Sequence, residues 1–332
     1  MGKAPAGDAT APETLHLATI EGRSAHEGPE HVLTGQLDLF AHSRTMILLN
    51  DLIDSVLERD TPRVDQLLDL LRAEAPGHPA LNSFVALREV LKHWPPANTA
   101  GPADTERVLE WLDSHVTRTA TSVLGAAAAT FIRSLWHELA DTVADQRYDP
   151  TRPRSHCVYC HLRAGDGRRA LEALSTIEGR ERDPFLLHYA ILARYDTSGW
   201  HACRSEFFTL ALTAPHQLPA TLTALSDPSL HADWEGFWTD CIWLDQRDET
   251  SAGWFPAWYL IEHPATRLAD VVAAEDFDAP WAKAFRTMKT LLTLERCGYD
   301  ERLIAARAEL QHIDARLFAH YMTRRESQGL GH

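Results

Sequence analysis

The sequence of 332 residues has no apolar run of the roughly 18 residues that are needed to cross a bilayer. Its first residues also lack the continuous apolar stretch of an export signal. Only five cysteines occur, which argues against a disulfide framework in a chain of this length. These absences predict a cytoplasmic protein with free thiols and no membrane partner.

Basic residues are scarce relative to acidic ones, with 32 Lys and Arg against 47 Asp and Glu and a net charge of −15. Because an acidic surface repels phosphate groups, we expect no direct binding of nucleic acid. The 45% hydrophobic and 24% charged residues are typical of a globular protein. The length favours either two domains or an extended repeat architecture.

The common signatures of catalysis are missing as well. The sequence contains no G-x-S-x-G elbow, no phosphate-binding G-x-x-x-x-G-K-[ST] loop and no G-x-G-x-x-G turn. His137 and Glu138 begin an H-E-x-x-H zinc motif, but Asp141 stands where its second histidine belongs. The sequence therefore assigns no catalytic residue and no cofactor, and it favours a protein without enzymatic activity.

What the chain does contain is helical periodicity. Apolar residues recur every three or four positions, as at Leu49, Leu52 and Val56, which is typical of a helix with one buried side. Asp60, followed by a threonine and a proline, predicts the start of the next helix. Sustained period-two alternation is absent. We predict an all-α fold of antiparallel helical hairpins, with one long helix over residues 120–145.

Composition also predicts how the chain is divided. Residues 1–34 are rich in Ala, Pro, Gly and Thr and have little apolar periodicity, so we expect a disordered N-terminal tail. The Pro- and Asp-containing stretch between residues 146 and 155 is a candidate boundary. It separates a predicted N-terminal helical subdomain, 35–146, from a predicted C-terminal one, 155–325.

Three segments point to a repeat architecture. LRAGDGRRALEALSTI (162–177) resembles the turn and second helix of a tetratricopeptide unit. LERDTPRVDQLLDLLRAEAP (57–76) is similar, and RCGYDERLIAARAELQHID (296–314) is a looser case. The resemblance implies an irregular tetratricopeptide-like α-solenoid, because the segments do not recur at the regular period of about 34 residues. Proteins of this kind bind other proteins.

A sharper motif stands at the predicted junction of tail and first helix. The pentapeptide QLDLF, which consists of Gln36, Leu37, Asp38, Leu39 and Phe40, resembles the bacterial sliding-clamp-binding peptide at all five positions. The resemblance implies docking on the DNA sliding clamp, with the glutamine amide hydrogen-bonding and the apolar side chains filling a pocket. The alternative is that these residues form the first turn of the opening helix and pack on their own chain.

A second cluster is His156, Cys157, Cys160 and His161, which reads H-C-x-x-C-H. Covalent haem attachment uses C-x-x-C-H but requires export, so we exclude it. On a helix, Cys157, Cys160 and His161 share one face and form a weak candidate for a zinc site that a distant fourth ligand completes. A redox dithiol is a further alternative. We favour packing in the core, where cysteine is common.

Aromatic residues are concentrated in segment 234–259. Helical spacing predicts that Trp234 lies over Trp238 and that Trp254 lies over Trp258. We favour core packing between short helices over an aromatic-lined pocket. The resulting hypothesis is a non-enzymatic adaptor or scaffold that binds a partner protein, in its sharpest version a DNA replication or repair accessory on the sliding clamp. The competing hypothesis is a metal-binding protein or enzyme centred on H-C-x-x-C-H or on this segment.

Overall fold

The computed structural model confirms the all-α prediction, because every regular element in the part of the chain that it describes is helical. The described residues are 30–96, 101–246, 248–266, 277–297 and 301–327. Within them, the side chains of residues 30–43 and of Cys297 are not described. The predicted tail lies outside the described residues up to position 29, and the first helix begins at Glu30.

Short turns connect most of the helices, so that neighbours along the chain pack on one another. The α-helices in chain order are α1 Glu30–Leu57, α2 Thr61–Glu74, α3 Leu81–His93, α4 Pro102–Trp111, α5 Thr117–Leu124, α6 Ala128–Thr142, α7 Cys157–Arg163, α8 Gly167–Ser175, α9 Pro184–Ser198, α10 Trp200–Thr213, α11 Leu218–Ala224, α12 Pro228–Asp240, α13 Phe255–Glu262, α14 Pro280–Cys297, α15 Glu301–Ile313 and α16 Ala315–Ser327.

Helices α1 and α2 show how local sequence produces a hairpin. The Asp60 carboxylate accepts a hydrogen bond from the backbone N–H of Arg63 at 3.0 Å, which caps α2 as predicted. At the other end of α2, Arg44 Nε lies 3.6 Å from Glu74 Oε2, so the two helices run antiparallel. The inward side of α2 carries Val64, Leu67, Leu68 and Leu71, all of them buried.

The prediction of one long helix over residues 120–145 is wrong. Helix α5 ends at Leu124, and Gly125 adopts a φ of 55°, a left-handed value that interrupts an α-helix. A single 3-10 turn follows before α6 begins at Ala128. The apolar stripe that predicted the helix is real, because Phe131 and Leu135 are buried on α6. Apolar residues keep their helical spacing across Gly125, so the sequence pattern does not show the break.

The three tetratricopeptide-like segments each lie at a turn between two helices in contact. They join α1 to α2, α7 to α8 and α14 to α15. In the second case Gly165 takes a φ of 71°, which fits its place in the turn. Residues 298–300 of the third turn lie outside the described residues. Helical hairpins are therefore present, whereas the tetratricopeptide-like solenoid stays a prediction.

Buried apolar side chains form two large clusters. One is built from helices between α1 and α7, and the other from helices between α9 and α16. A smaller cluster around Val158, Leu174 and Tyr189 joins α7, α8 and α9. The predicted subdomains 35–146 and 155–325 stay predictions, although Cys157 and Cys160 of α7 pack in the N-terminal cluster.

The Trp-rich segment is part of the C-terminal core. The rings of Trp234 and Trp238 lie 5.5 Å apart and nearly perpendicular, as helical spacing predicts. Phe255 packs 5.3 Å from Trp234, and Trp258 is buried. These contacts agree with core packing, the role that we favoured for this segment.

Two further findings concern the cysteines and the membrane. Cys157, Cys160, Cys203 and Cys241 are all buried and free, in agreement with the sequence. Across the described ranges, no helix combines the length and the apolar character that a membrane crossing requires.

Candidate functional site

Openings that the sequence did not reveal lie on both sides of α7. The short helix packs between α6 and α8 and contacts α9. It begins where His156 Nδ1 accepts a hydrogen bond from the backbone N–H of Val158 at 3.3 Å. On one side lies an opening that we call the polar cleft, and on the other lies one that we call the aromatic groove.

The histidine and cysteine side chains of H-C-x-x-C-H are all buried. Burial raises the pKa of Cys157 and of Cys160, so both thiols stay protonated at neutral pH. A protonated thiol is a poor nucleophile and a poor metal ligand. The cysteines therefore behave as small apolar residues of the core.

The weak zinc alternative does not find support in the geometry. Among the described residues, three metal-ligating side chains bring their ligand atoms within 4.8 Å of one another at Asp240, Glu262 and His320. The ligand atoms of Cys157, Cys160 and His161 do not converge in this way. A metal site at α7 would need the helix to rearrange.

The polar cleft has a volume of about 730 Å³ and carries side chains of both charges. His161 lies at its edge and is only 8% exposed, and its Nδ1 is buried without a hydrogen-bond partner. Burial lowers the pKa of His161, so the ring is neutral at pH 7. The residues that line the cleft are Asp141, Ala144, Gln146, Arg147, Tyr148, His156, Cys157, His161, Arg169, Glu172, Ala173, Thr176, Ile177 and Glu178.

The neutral His161 ring has a preferred hydrogen position. A buried N–H without a hydrogen-bond partner is less favourable than a buried acceptor without one. Since Nδ1 has no partner, the favoured tautomer carries its hydrogen on Nε2. His161 lines the cleft together with the cationic Arg169 and the anionic Glu172. Such a set can bind polar groups, but it does not select one charge.

The aromatic groove is smaller, about 480 Å³, and less polar. Phe185 at the start of α9 is 42% exposed, which is unusual for a large apolar side chain. The guanidinium of Arg154 lies 5.9 Å from the centre of the Tyr159 ring. The groove is lined by Pro153, Arg154, Tyr159, Phe185, His188, Tyr189, His216, Gln217 and Ala220.

His188 lines this groove in its neutral form. Its Nδ1 lies 2.7 Å from the hydroxyl oxygen of Thr221, and burial lowers its pKa to about 4. None of the described residues that line the groove is acidic. The guanidinium of Arg154 therefore gives the groove a positive charge, in a chain of net charge −15.

The predicted docking peptide, Gln36 to Phe40, lies within α1, where the backbone is helical. Its side chains fall outside the described residues. The peptide lies before Arg44, which pairs with Glu74 at the open end of the α1–α2 hairpin.

Comparisons with known proteins add no relative. No family model, no curated protein and no solved structure matches the chain.

Sequence reasoning missed the aromatic groove for a definite reason. Its lining residues come from the turn before α7, from α7 and α9, and from α11 and the turn before it, and no motif links positions so far apart. One local pattern does point to the groove. Asp183 and Pro184 are typical of a helix start, which places Phe185 in the first turn of α9, where the chain is usually exposed. A phenylalanine at an exposed position is unusual, because large apolar side chains are mostly buried.

Proposed function

We propose that the protein is an adaptor without enzymatic activity that binds a segment of a partner protein in the aromatic groove. The observation that carries this proposal is the combination of an exposed Phe185 with Tyr159, Tyr189 and Arg154 in one opening. Aromatic and arginine side chains dominate the energetics of protein interfaces, where each large ring buries much apolar area.

The charge of the groove indicates what the partner segment carries. Arg154 supplies a positive charge, and the acids of this strongly acidic chain do not line the opening. A partner segment with an apolar anchor next to an acidic side chain complements both features. The anchor would pack on the aromatic rings, and the acid would meet the guanidinium of Arg154.

The test is a site-specific photocrosslink from the groove. A photoreactive phenylalanine analogue at position 185 should crosslink a partner from cell extract. The crosslinked peptide, identified by mass spectrometry, should contain an acidic residue beside an apolar one. Arg154→Glu should reduce capture at least tenfold, because it reverses the charge.

A matched control uses Ile304, an apolar residue on α15 that is 49% exposed, against 42% for Phe185. The same analogue at position 304 should not crosslink that partner, and Ile304→Ala should leave capture unchanged. Equal crosslinking from both positions, or full capture by a folded Arg154→Glu variant, contradicts the proposal.

The finer version is that the partner-binding residues include Gln36, Leu37, Asp38, Leu39 and Phe40 and that one partner is the DNA sliding clamp. It is supported by the match of all five residues to the clamp-binding peptide. Since α1 is helical there, binding in another backbone conformation requires its first turns to unwind.

A variant that combines Gln36→Ala, Leu39→Ala and Phe40→Ala separates this version from the groove. Loss of binding to purified clamp, with unchanged circular dichroism, supports clamp docking. Unchanged clamp binding, or no binding by the wild type, contradicts it. The groove crosslink at position 185 should be the same in this variant, so the two proposals fail independently.

A further inference from the structure

Three potential metal ligands from three different helices meet near the C-terminal end of the fold. Asp240 is the last residue of α12, Glu262 is the last residue of α13, and His320 lies in α16. His320 Nε2 lies 2.8 Å from Glu262 Oε1 and 3.7 Å from Asp240 Oδ2. All three side chains are partly buried, unlike ordinary surface acids.

These separations fit the coordination shell of a small divalent ion. Zinc binds imidazole nitrogen and carboxylate oxygen at about 2.0–2.2 Å, which puts tetrahedral ligand atoms roughly 3.3–3.5 Å apart. The two separations from His320 Nε2 lie on either side of that value, and the ligand atoms of all three residues lie within 4.8 Å of one another. A nitrogen and two carboxylate oxygens leave one position for water, as in catalytic zinc sites.

A positive group already bridges the same two oxygens. Arg324 Nε lies 2.8 Å from Glu262 Oε1, and its Nη2 lies 3.6 Å from Asp240 Oδ2. The Arg324 side chain is 42% exposed and can swing into solvent. Its guanidinium thus occupies the place of a cation and can be displaced by one.

The surroundings hold both carboxylates in place. Glu262 Oε1 is contacted by His320 Nε2 and by Arg324 Nε, each at 2.8 Å. The indole N–H of Trp258 donates at 3.1 Å to Asp240 Oδ2, the same oxygen that faces His320, and so fixes the position of that oxygen. Such outer contacts orient metal ligands.

We propose that Asp240, Glu262 and His320 form a binding site for a divalent transition-metal ion of the zinc class, which Arg324 closes in the metal-free protein. Binding moves Arg324 into solvent and frees the lone pair of His320 Nε2. The hydrogen that Nε2 shares with Glu262 shifts to Nδ1 in a neutral ring, or is released to solvent from a protonated one.

The experiment is a titration of the full chain with cobalt(II) chloride, followed by absorption spectroscopy and then by displacement with zinc. The absorption bands of bound cobalt(II) depend on which atoms coordinate it. The wild type should bind one equivalent and show ligand-field bands of nitrogen and oxygen donors without a thiolate charge-transfer band. Glu262→Gln, which has nearly the same shape, and His320→Ala should each lose that equivalent.

Arg324→Ala makes the test sharper, because removal of the competing cation should tighten binding at least tenfold. His263→Ala is the matched control: His263 Nε2 lies 3.0 Å from Asp233 Oδ1 in a histidine–carboxylate pair to which no side chain among the described residues adds a third ligand. It should leave the titration unchanged. A thiolate band, or identical titrations for wild type, Glu262→Gln and Arg324→Ala in folded proteins, overturns the proposal.

Discussion

Arg325 Nη2 lies 2.7 Å from Glu295 Oε2, in an ion pair whose guanidinium side chain is only 3% exposed. The hydroxyl of Tyr321 donates to the other oxygen of the same carboxylate, and Arg307 donates to that hydroxyl at 3.2 Å. Helix α16 is thereby tied to α14 by buried polar contacts, on top of the apolar packing of Tyr321 and Leu317.

The buried pair of Arg325 and Glu295 predicts that a substitution which only removes the charge lowers the stability strongly. Glu295→Gln keeps the shape of the side chain but leaves the buried Arg325 without its counter-charge, so we expect a loss of roughly 3 kcal/mol in the free energy of unfolding. Urea denaturation followed by circular dichroism measures it. The control is Asp69→Asn, which removes the exposed pair with Arg72 and should change nothing measurable. Equal effects of the two substitutions would contradict the buried pair.

The neutral His188 predicts a pH dependence of stability. In the unfolded chain the histidine takes up a proton below about 6.5, whereas the folded protein resists this down to a pKa of about 4. The stability that depends on the neutral ring is therefore present above pH 6.5 and is lost as the pH falls towards 4. The loss should reach at most about 3 kcal/mol.

The measurement compares the wild type with His188→Gln by urea denaturation at several pH values between about 7.5 and about 3. The difference in unfolding free energy between them should shift against the wild type as the pH falls, and it should level off below pH 4. The exposed His312→Gln serves as the control and should leave the wild-type profile unchanged. A constant difference between wild type and His188→Gln would refute the expectation.

The start of α8 predicts that one glycine tolerates no side chain. A Cβ at Gly167 would lie 2.7 Å from the backbone oxygen of Ala193 and 2.9 Å from Asp196 Oδ2. Gly167→Ala should therefore force α8 and α9 apart and lower the unfolding free energy by about 1–3 kcal/mol. Thermal melting measures this. Gly77→Ala, where nothing lies within 4 Å of the new Cβ, should leave the melting temperature the same or slightly higher.

Burial of the thiols predicts that Cys160 of α7 reacts slowly with thiol reagents. In a Cys297→Ser background, Cys160 should react with a disulfide reagent only as fast as the protein unfolds, because its side chain is buried and its pKa is raised by burial. Labelling followed by mass spectrometry, with and without urea, measures the rates. Stoichiometric labelling of Cys160 in the folded protein, faster than unfolding, would show that α7 opens locally.

Part of the fold and little of the site could be predicted from residues alone. The helical class, the cap of α2 at Asp60 and the burial of the cysteines depend on neighbours within about four positions, and local patterns report these well. The break at Gly125 was missed because apolar periodicity persists across it. The left-handed backbone of Gly125 and the 3-10 turn that it begins separate α5 from α6.

The sequence by itself determined that this protein is helical and acidic and that its few cysteines are buried, since each of these follows from composition or from contacts along one helix. The tertiary structure alone decided which distant side chains meet. Phe185 joins Tyr159 in the groove, and His320 joins Glu262, 58 residues away, because packed helices bring them together. Periodicity shows which side of a helix is buried, but the helix that covers it is chosen by the packing of the whole chain.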